Sequence, residues 1–399
     1  MNDPTLQIKD LDTGETVTVS DYLNSHDEDN MPAVLPSDQI SSSSQVKVVK
    51  LPSDLKFKTF INNKNQESYS NVRVCQYLEP HKNRITCLVT SRPKKSTNHY
   101  VASGDDDGLI ILYQFTGFIT VLRKFSGHTD QITCLTFGSN DTLLSSSMDK
   151  SVRLWHPSEA EPLATFLHDD IVTCVAFHPS NPSIFIAGQF NNTALVWDIA
   201  KNEVLKTIHF ETFPTAVSFS NDGQIIAIGL VLGQCHIYSY PELNYVTKFI
   251  AGPRAKKKMM TNKKITSIAF INHNEFLIAS NDSRIRLYSL ANFSVIRKFA
   301  GHVCKERHNQ LSISPDGKSL MIVSEAHGSV YIWPVDHEKF FKGGPLNSFV
   351  RDRSETCEGF KFGSERLITA SVFTYQNTPN HLSAIVADCE GNIFLVLSK

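Results

Sequence analysis

One short motif occurs three times in nearly the same form, as Arg84-Ile-Thr-Cys-Leu-Val, Gln131-Ile-Thr-Cys-Leu-Thr and Ile171-Val-Thr-Cys-Val-Ala. Degenerate copies follow at Phe213-Pro-Thr-Ala-Val-Ser, Lys264-Ile-Thr-Ser-Ile-Ala and Leu367-Ile-Thr-Ala-Ser-Val, with a weaker copy at His308-Asn-Gln-Leu-Ser-Ile. The residue after threonine, which aligns with Leu311 in the weakest copy, recurs at intervals of 40 to 59 residues. The shortest interval is about the length of a four-stranded propeller blade, and the longer intervals indicate loop insertions.

Each copy is followed by further short runs of strand-forming residues, three of them in a complete repeat. In the second repeat these runs are Leu143-Leu-Ser-Ser-Ser, Ser151-Val-Arg-Leu-Trp-His and Pro162-Leu-Ala-Thr-Phe-Leu. β-branched and aromatic residues fill the runs, whereas Asp, Asn, Gly, Ser and Pro fill the gaps, which is typical of strands joined by turns. The sequence therefore predicts an all-β fold, a seven-bladed β-propeller.

The two ends of the repeat region predict how the ring closes. The last repeat stops after three strands, and one unassigned strand, residues 72–78, precedes the first repeat. If that strand completes the last blade, two open sheet edges disappear. We therefore expect a ring over residues 72–398, with residues 45–71 as an ordered extension against it. Residues 1–44 contain nine acidic residues, one lysine and a serine run, and are predicted to be a disordered acidic tail.

Composition narrows the class of protein. The chain has 399 residues, a formal net charge of -1 and 41% hydrophobic residues, as expected for a folded globular protein. Its start lacks the pattern of a signal peptide, and its longest apolar runs are too short to cross a membrane. The eight cysteines are scattered and form no C-x-x-C pair, which favours reduced thiols over a disulfide framework. These features predict a soluble cytoplasmic protein.

The second repeat also carries a polar constellation. Gly127-His128 is followed by Ser145, Asp149 and Trp155, and the third repeat ends a strand in Trp197-Asp198. This pattern resembles the WD-repeat family, named after its Trp-Asp signature. The resemblance implies that His128, Ser145, Asp149 and Trp155 form a buried hydrogen-bonded tetrad with a structural role, since a buried imidazole, carboxylate and indole must satisfy one another.

A closer resemblance rests on longer stretches. The segments Leu143-Leu-Ser-Ser-Ser-Met-Asp-Lys-Ser-Val-Arg-Leu-Trp-His, Thr173-Cys-Val-Ala-Phe-His-Pro and Ser280-Asn-Asp-Ser-Arg-Ile-Arg-Leu-Tyr are similar to the propellers of Rab-GTPase-binding, rabphilin-like WD-repeat proteins. The resemblance covers most of residues 46–398. It implies a small GTPase or trafficking machinery as partner, and a position on the periphery of endosomal or vesicle membranes.

Three residue groups could suggest catalysis or ligand binding, and each has a simpler explanation. Ser145, His128 and Asp149 match a hydrolase triad in type, but no G-x-S-x-G elbow accompanies them. Gly317-Lys318-Ser319 lacks the first glycine and the helix of a P-loop. His302, Cys304 and His308 lack an evident fourth ligand for a metal. The sequence thus predicts a protein that is not an enzyme and has no cofactor or metal.

A basic segment is the clearest candidate binding site. Residues 254–264 contain six basic residues and no acidic one, namely Arg254, Lys256, Lys257, Lys258, Lys263 and Lys264. This segment joins the fourth and fifth repeats, on the face where the Gly-His loops lie, and could dock an acidic partner or an anionic membrane. We expect a monomeric ring that acts as a protein-interaction scaffold. A nucleic-acid-associated propeller using the same segment is the alternative, although the overall basic excess is small for a nucleic-acid binder.

Overall fold

The structure, a computed structural model, is built from strands throughout the part of the chain that it describes. The described residues are 7–9, 16–18, 55–61, 72–91, 99–252, 263–326, 328–335, 353–354, 357–363, 366–375 and 381–398. Within these ranges no helix is present, and hence none that is long and apolar enough to span a bilayer.

The strands that precede the repeats are β1 (Gln7–Lys9), β2 (Thr16–Thr18), β3 (Lys58–Ile61) and β4 (Arg73–Leu78). Blade one contains β5 (Ile85–Thr90), β6 (His99–Asp105), β7 (Ile110–Phe115) and β8 (Ile119–Phe125). Blade two contains β9 (Ile132–Phe137), β10 (Leu143–Ser147), β11 (Ser151–Trp155) and β12 (Ala164–Leu167). Blade three contains β13 (Val172–Phe177), β14 (Ile184–Gln189), β15 (Thr193–Asp198) and β16 (Glu203–His209).

Blade four contains β17 (Pro214–Phe219), β18 (Ile225–Leu230), β19 (Gln234–Ser239) and β20 (Tyr245–Ile250). Blade five contains β21 (Ile265–Phe270), β22 (Glu275–Ser280), β23 (Arg284–Ser289) and β24 (Val295–Phe299). Blade six begins with β25 (Ser312–Ile313), β26 (Ser319–Ser324) and β27 (Ser329–Pro334), and after β28 (Arg353–Ser354) it ends with β29 (Glu358–Lys361). Blade seven contains β30 (Ile368–Phe373), β31 (Ser383–Asp388) and β32 (Ile393–Leu397).

The core lies between neighbouring blades. Phe125 of blade one stacks on Trp155 of blade two at a centroid distance of 5.0 Å, and both are fully buried. Each such side chain contributes about 1.5–3 kcal/mol when it is removed from water. Because each cluster draws on two blades, no blade can bury its apolar surface alone, and the ring must fold as a unit.

The ring closes as the sequence predicts. β4 pairs antiparallel with β32 and supplies the fourth strand of blade seven. The buried Gln76 of β4 then joins blade seven to blade one, since its Nε2 donates to the Ile119 carbonyl at 2.7 Å and its Oε1 accepts from the Ile119 amide at 2.7 Å. The prediction of a seven-bladed ring closed by an N-terminal strand is confirmed.

The threonines of the repeated motif join successive blades. In four blades the hydroxyl donates to a backbone carbonyl at the start of the next blade. These bonds are Thr86 to Ile132 (2.7 Å), Thr133 to Val172 (2.7 Å), Thr173 to Pro214 (2.7 Å) and Thr215 to Ile265 (2.6 Å). The motif is therefore an element of inter-blade contact as well as a strand.

Blade six departs from the other blades at its innermost strand, β25, which is only two residues long. Its register with β26 places Gln310, and not Leu311, at the position of Cys134. The alignment of Leu311 with that cysteine is thus wrong by one residue. Asn309 takes the place of the motif threonine, and its Nδ2 donates to the Val323 carbonyl at 3.1 Å. A side-chain amide extends one atom further than a hydroxyl, so Asn309 can reach the Val323 carbonyl although the backbone before β25 is irregular.

A carboxylate fastens the irregular segment before β25. Glu325 accepts three successive backbone N–H groups through Oε1, from Lys305 at 2.9 Å, Glu306 at 3.1 Å and Arg307 at 2.8 Å. Among the described residues, Thr266 of blade five, which would be next in the series of inter-blade bonds, has a buried hydroxyl without a partner. At this junction the Leu311 backbone N–H of blade six instead donates to the Ser267 hydroxyl of blade five at 3.1 Å.

The flanking segments add strands to two blades. β3 pairs with β29 at the outer edge of blade six, and β28 pairs in parallel with β24 of blade five. β1 and β2 form a two-stranded hairpin within the predicted tail. The described residues leave out the rest of residues 1–44 and most of residues 336–357, a long insertion in blade six. The predicted tail and domain boundaries therefore stay predictions.

We expect that deletion of residues 1–44 leaves the melting temperature unchanged, whereas deletion of residues 1–80 removes β4 and exposes the edge of β32. The second variant should aggregate, because an unpaired strand next to a buried core recruits other chains. Size-exclusion chromatography and thermal melts of both variants test this. A monomeric 81–399 chain with unchanged melting would show that β4 does not hold the ring.

Candidate protein-interaction surface

The structure brings the four predicted residues of blade two together beneath its surface. Nδ1 of His128 lies 2.7 Å from Asp149, and Nε2 lies 2.7 Å from the Ser145 hydroxyl. The indole N–H of Trp155 donates to the same hydroxyl at 2.8 Å. Burial lowers the pKa of His128, so the ring is neutral at neutral pH, and every donor then has an acceptor.

Blade one contains a second tetrad that the sequence analysis missed. His81 contacts Asp105 at 2.7 Å and Ser103 at 2.6 Å, and the Ser103 hydroxyl lies 2.9 Å from the phenol of Tyr113. Tyrosine stands where the family signature has tryptophan, and the acid comes two residues earlier than its counterpart in blade two. A search for a buried His, Ser and acid with any hydroxylated or indole partner could have found this group.

The other blades replace or lose the tetrad. In blade three Trp197 donates directly to Nε2 of His168 at 3.2 Å. In blade five Asp282 forms an ion pair with the buried Arg286. In blade six the register places Ile322 at the serine position. The tetrads thus behave as interchangeable ways of satisfying buried polar groups.

In blade six the loss leaves unpaired groups. His302 and Trp333 are buried, and their rings lie 5.6 Å apart. Among the described residues, neither nitrogen of His302 has a hydrogen-bond partner, and neither does the indole N–H of Trp333. Burial without a partner lowers the pKa of His302 to about 4.

A repeated backbone hydrogen bond outlines one mouth of the central channel. In each blade the first residue of the turn after the second strand donates its N–H to a carbonyl in the segment that leads into the first strand, at 2.8–3.2 Å. The pairs are Asp106–Arg84, Met148–Gln131, Phe190–Ile171, Val231–Phe213, Asn281–Lys264, Glu325–Val303 and Cys389–Leu367. We call these fourteen residues, with the turns that they open, the rim.

The side chains of the rim differ around the ring. Over blades two to four they include large, exposed apolar side chains, with Met148 at 37%, Phe190 at 50% and Leu232 at 39% exposure. Phe190 packs on Phe213 of the next blade at 4.5 Å between ring centroids. Over blade one the rim is an Arg84–Asp106 ion pair. The backbone is uniform, whereas the surface it presents is not.

The predicted basic residues are divided by the structure. Lys264 lies on the rim immediately before β21, Lys263 precedes it in the chain, and both are partly exposed. Neither forms an ion pair with any residue that the structure describes. Partial burial lowers the pKa of Lys264. Arg254, Lys256, Lys257 and Lys258 lie outside the described residues.

The remaining candidate sites provide no catalytic geometry. Ser145 is completely buried beneath the tetrad, so its hydroxyl cannot reach a substrate. Gly317 lies in a tight turn between β25 and β26, with a positive φ of 70°, and no helix follows it. Across the described residues no group of three His, Cys, Asp or Glu side chains could hold a metal ion, and this includes His302, Cys304 and His308.

Known proteins share these repeats. A family model, the WD domain or G-beta repeat, matches residues 72–114, 119–156, 160–198 and 256–289, within blades one, two, three and five and their flanking segments. These four stretches match WD repeats and lie within the seven-bladed β-propeller. It is 35% identical to WD repeat-containing protein 44 of Xenopus laevis over 256 residues, which is 63% of the chain. It is 25% identical to 2-deoxy-glucose resistant protein 2 of Saccharomyces cerevisiae over 269 residues, or 62% of the chain.

A further relative of the WD-repeat propeller is the Xenopus laevis p21-activated protein kinase-interacting protein 1-like, 24% identical over 61% of the chain and 63% of that protein. The matched part of the chain spans 27% of WD repeat-containing protein 44 and 31% of the Saccharomyces cerevisiae protein. The relatives support a protein-interaction scaffold for WD-repeat propellers of this type.

The two histidines at equivalent positions give a matched test of the tetrad. We expect His128→Leu to destabilise the WD-repeat propeller by about 1–3 kcal/mol, because Asp149 and Ser145 lose their partner in a buried site. His302→Leu should be neutral or stabilising, because it removes two buried nitrogens that have no partner. Urea unfolding of both variants measures the difference, and equal losses would contradict the structural assignment.

The same variant predicts a change with pH. His302 is neutral in the folded protein down to about pH 4, whereas the unfolded histidine takes up a proton near its usual pKa of 6.5. The unfolded state therefore binds more protons between these values, and stability falls as the pH is lowered from about 6.5 towards 4. As the pH is lowered over this range, the melting temperature should fall less steeply for His302→Leu than for the wild type. Identical slopes would contradict the low pKa.

Proposed function

We propose that this WD-repeat propeller is a non-enzymatic scaffold in Rab-linked membrane traffic, and that it docks on an acidic partner or an anionic membrane through its rim. The observation that carries the proposal is the position of Lys264 on the rim, with Lys263 next to it in the chain. Lys264 interacts electrostatically with Glu325, but among the described residues neither lysine forms an ion pair. Four more basic residues precede them within residues 254–264. Cations grouped in this way raise the local concentration of anionic ligands and speed their association.

The Rab link is supported by the resemblance of blades two, three and five to Rab-GTPase-binding propellers. A position at endosomal or vesicle membranes is part of the same proposal. Protein partners also suit a rim whose backbone is fixed while its turns vary, since binding residues commonly lie on loops held by a rigid scaffold. One relative is named for its interaction with a protein kinase, which is itself a protein partner.

Replacing Lys256, Lys257, Lys258, Lys263 and Lys264 by Gln should leave the melting temperature nearly unchanged, because single charges near a protein surface typically contribute little to folding stability. Binding to vesicles of phosphatidylcholine with phosphatidylserine should fall, and the remaining binding should depend less on salt. Co-sedimentation across a salt series measures both effects. Pull-down with GTP-loaded Rab proteins tests the protein partner.

A matched control replaces five lysines that are exposed and lie away from the rim, namely Lys56, Lys58, Lys124, Lys318 and Lys361. This variant loses the same number of positive charges. Because none of these charges belongs to residues 254–264, it should bind as the wild type does. Equal vesicle and Rab binding by all three proteins would overturn the proposal. Salt-dependent retention of RNA by the wild type, lost only in the rim variant, would instead favour the nucleic-acid alternative.

A further inference from the structure

We propose that the junction of blades five and six is a binding site for a compact polyphosphate, with the chemistry of an inositol phosphate. The ligand is either a soluble inositol phosphate or the headgroup of a phosphoinositide, since both present the same phosphate groups. We call the site the phosphate cradle and define it by Lys264, Lys305, Arg307 and His308. This inference rests on the proposed function, because it names a ligand for the anion-binding part of the rim.

Hydrogen bonds to two rim residues hold the cradle together. Asn281 of the blade-five turn donates its backbone N–H to the Lys264 carbonyl at 3.0 Å and its Nδ2 to the Lys305 carbonyl at 3.1 Å. Glu325 of the blade-six turn accepts the backbone N–H groups of Lys305 at 2.9 Å and Arg307 at 2.8 Å on the same oxygen. Residues on both sides of blade five therefore meet at one place on the rim.

The side chain of Arg307 carries a donor that an anion would satisfy. Its Nη1 is buried and has no hydrogen-bond partner in the part of the chain that the structure describes. Within the same residues, no carboxylate forms an ion pair with Arg307, Lys305 or Lys264. A buried guanidinium N–H without an acceptor is unfavourable, and the guanidinium fork matches two oxygens of one phosphate group.

The acidic residues of the junction do not cancel its positive charge. The Glu325 carboxylate already accepts backbone N–H groups, and Glu306 is exposed. Asp282 of the blade-five turn is paired with Arg286. With Lys263, which precedes the cradle in the chain, four cations stand against Glu306 and Glu325, so these six residues carry a net charge of +2.

The inner segment of blade six limits the size of a ligand. Nε2 of Gln310 lies 3.7 Å from the Sγ of Cys134 in blade two. Blades two and six are not neighbours in the ring, so this segment reaches across the channel, deeper than the rim. An anion that enters at blades five and six therefore meets side chains beneath it as well as beside it. This arrangement suits a compact ligand better than a flat membrane surface.

His308 adds a neutral donor in the same segment. Burial and the nearby charge of Lys264 lower the pKa of His308 to about 3. The imidazole is therefore neutral at neutral pH and has one N–H to donate. The effect of Lys264 on this ring also indicates that the two side chains lie close together.

Phosphate suits these groups better than a single carboxylate does. A phosphate monoester carries a charge of about −1.5 to −2 at neutral pH and three acceptor oxygens. Lys305 is exposed, whereas Arg307 and Lys264 are partly buried, so the cations lie at different depths. A ligand with several phosphates on one rigid ring can bind both an outer and an inner cation.

The test is calorimetric titration of the full-length chain with inositol hexakisphosphate. We expect Arg307→Gln and the double variant Lys264→Gln/Lys305→Gln to bind at least about 10-fold more weakly than the wild type, because each loses charged hydrogen bonds. Arg307→Lys should recover only part of the affinity, because an ammonium group lacks the planar fork. Without ligand, all variants should melt as the wild type does, since the backbone N–H groups that bind Glu325 are retained.

Vesicles distinguish the two sources of phosphate. Phosphatidylcholine vesicles with phosphatidylinositol 4,5-bisphosphate are compared with vesicles that carry the same charge as phosphatidylserine. Stronger binding to the first kind, lost in Arg307→Gln, would support a lipid headgroup as the ligand. Binding of inositol hexakisphosphate without this preference would support a soluble ligand.

Two controls separate the cradle from general attraction between charges. Arg84 lies on the rim of blade one and pairs with Asp106 at 3.0 Å, so Arg84→Gln removes the same charge elsewhere on the rim. The triple variant Lys256→Gln/Lys257→Gln/Lys258→Gln removes three charges of the basic segment but none of the cradle. Both should bind inositol hexakisphosphate more tightly than Arg307→Gln does.

Three results would overturn the proposal. They are no binding of inositol hexakisphosphate by the wild type, equal binding by Arg307→Gln and the wild type, and a loss confined to the triple lysine variant. Failure of the proposed function gives a different pattern. In that case phosphatidylserine vesicles and Rab proteins are not bound, while inositol hexakisphosphate still binds and still depends on Arg307.

Discussion

The hydrogen bond from the motif threonine to the next blade is the interaction on which the ring depends most directly. Four of these bonds, at 2.6–2.7 Å, fix each innermost strand against its neighbour. A blade that is displaced would leave a hydroxyl and a carbonyl unpaired near the channel, at a cost of about 1–3 kcal/mol for each buried group. The bond also explains the repeated motif, because Ile or Val fills the core while Thr spans the junction.

Blade six shows what happens where this bond is absent. Thr266 has no acceptor, and Asn309 and Glu325 hold the strand by other means. The same blade has the unpaired His302 and Trp333, and blades five and six receive the extra strands β28 and β3. Weak internal pairing and added external strands thus coincide on one side of the ring.

Much of the fold could be predicted from the sequence, because blade length, strand alternation and the missing last strand are local patterns. The register of blade six could not, since choosing Gln310 over Leu311 depends on pairing with β26. The tetrad of blade one was hidden for a similar reason. Tyr113 takes the place of Trp155 with a different side chain, and Asp105 takes the place of Asp149 from a position two residues earlier in the blade. The equivalence of the two tetrads lies in their positions in the fold, so a comparison of residue types along the sequence does not reveal it.

The candidate site was harder to predict than the fold for a related physical reason. The basic residues formed a visible run, but Met148, Phe190 and Leu232 lie far apart in sequence and in turns of different composition. Only the shared backbone bond places them on one rim. Because that bond uses main-chain atoms alone, it constrains no side chain, and a turn can change its surface without weakening the blade. The shared main-chain bond therefore lets the side chains of the rim differ from blade to blade while the backbone of each turn stays alike.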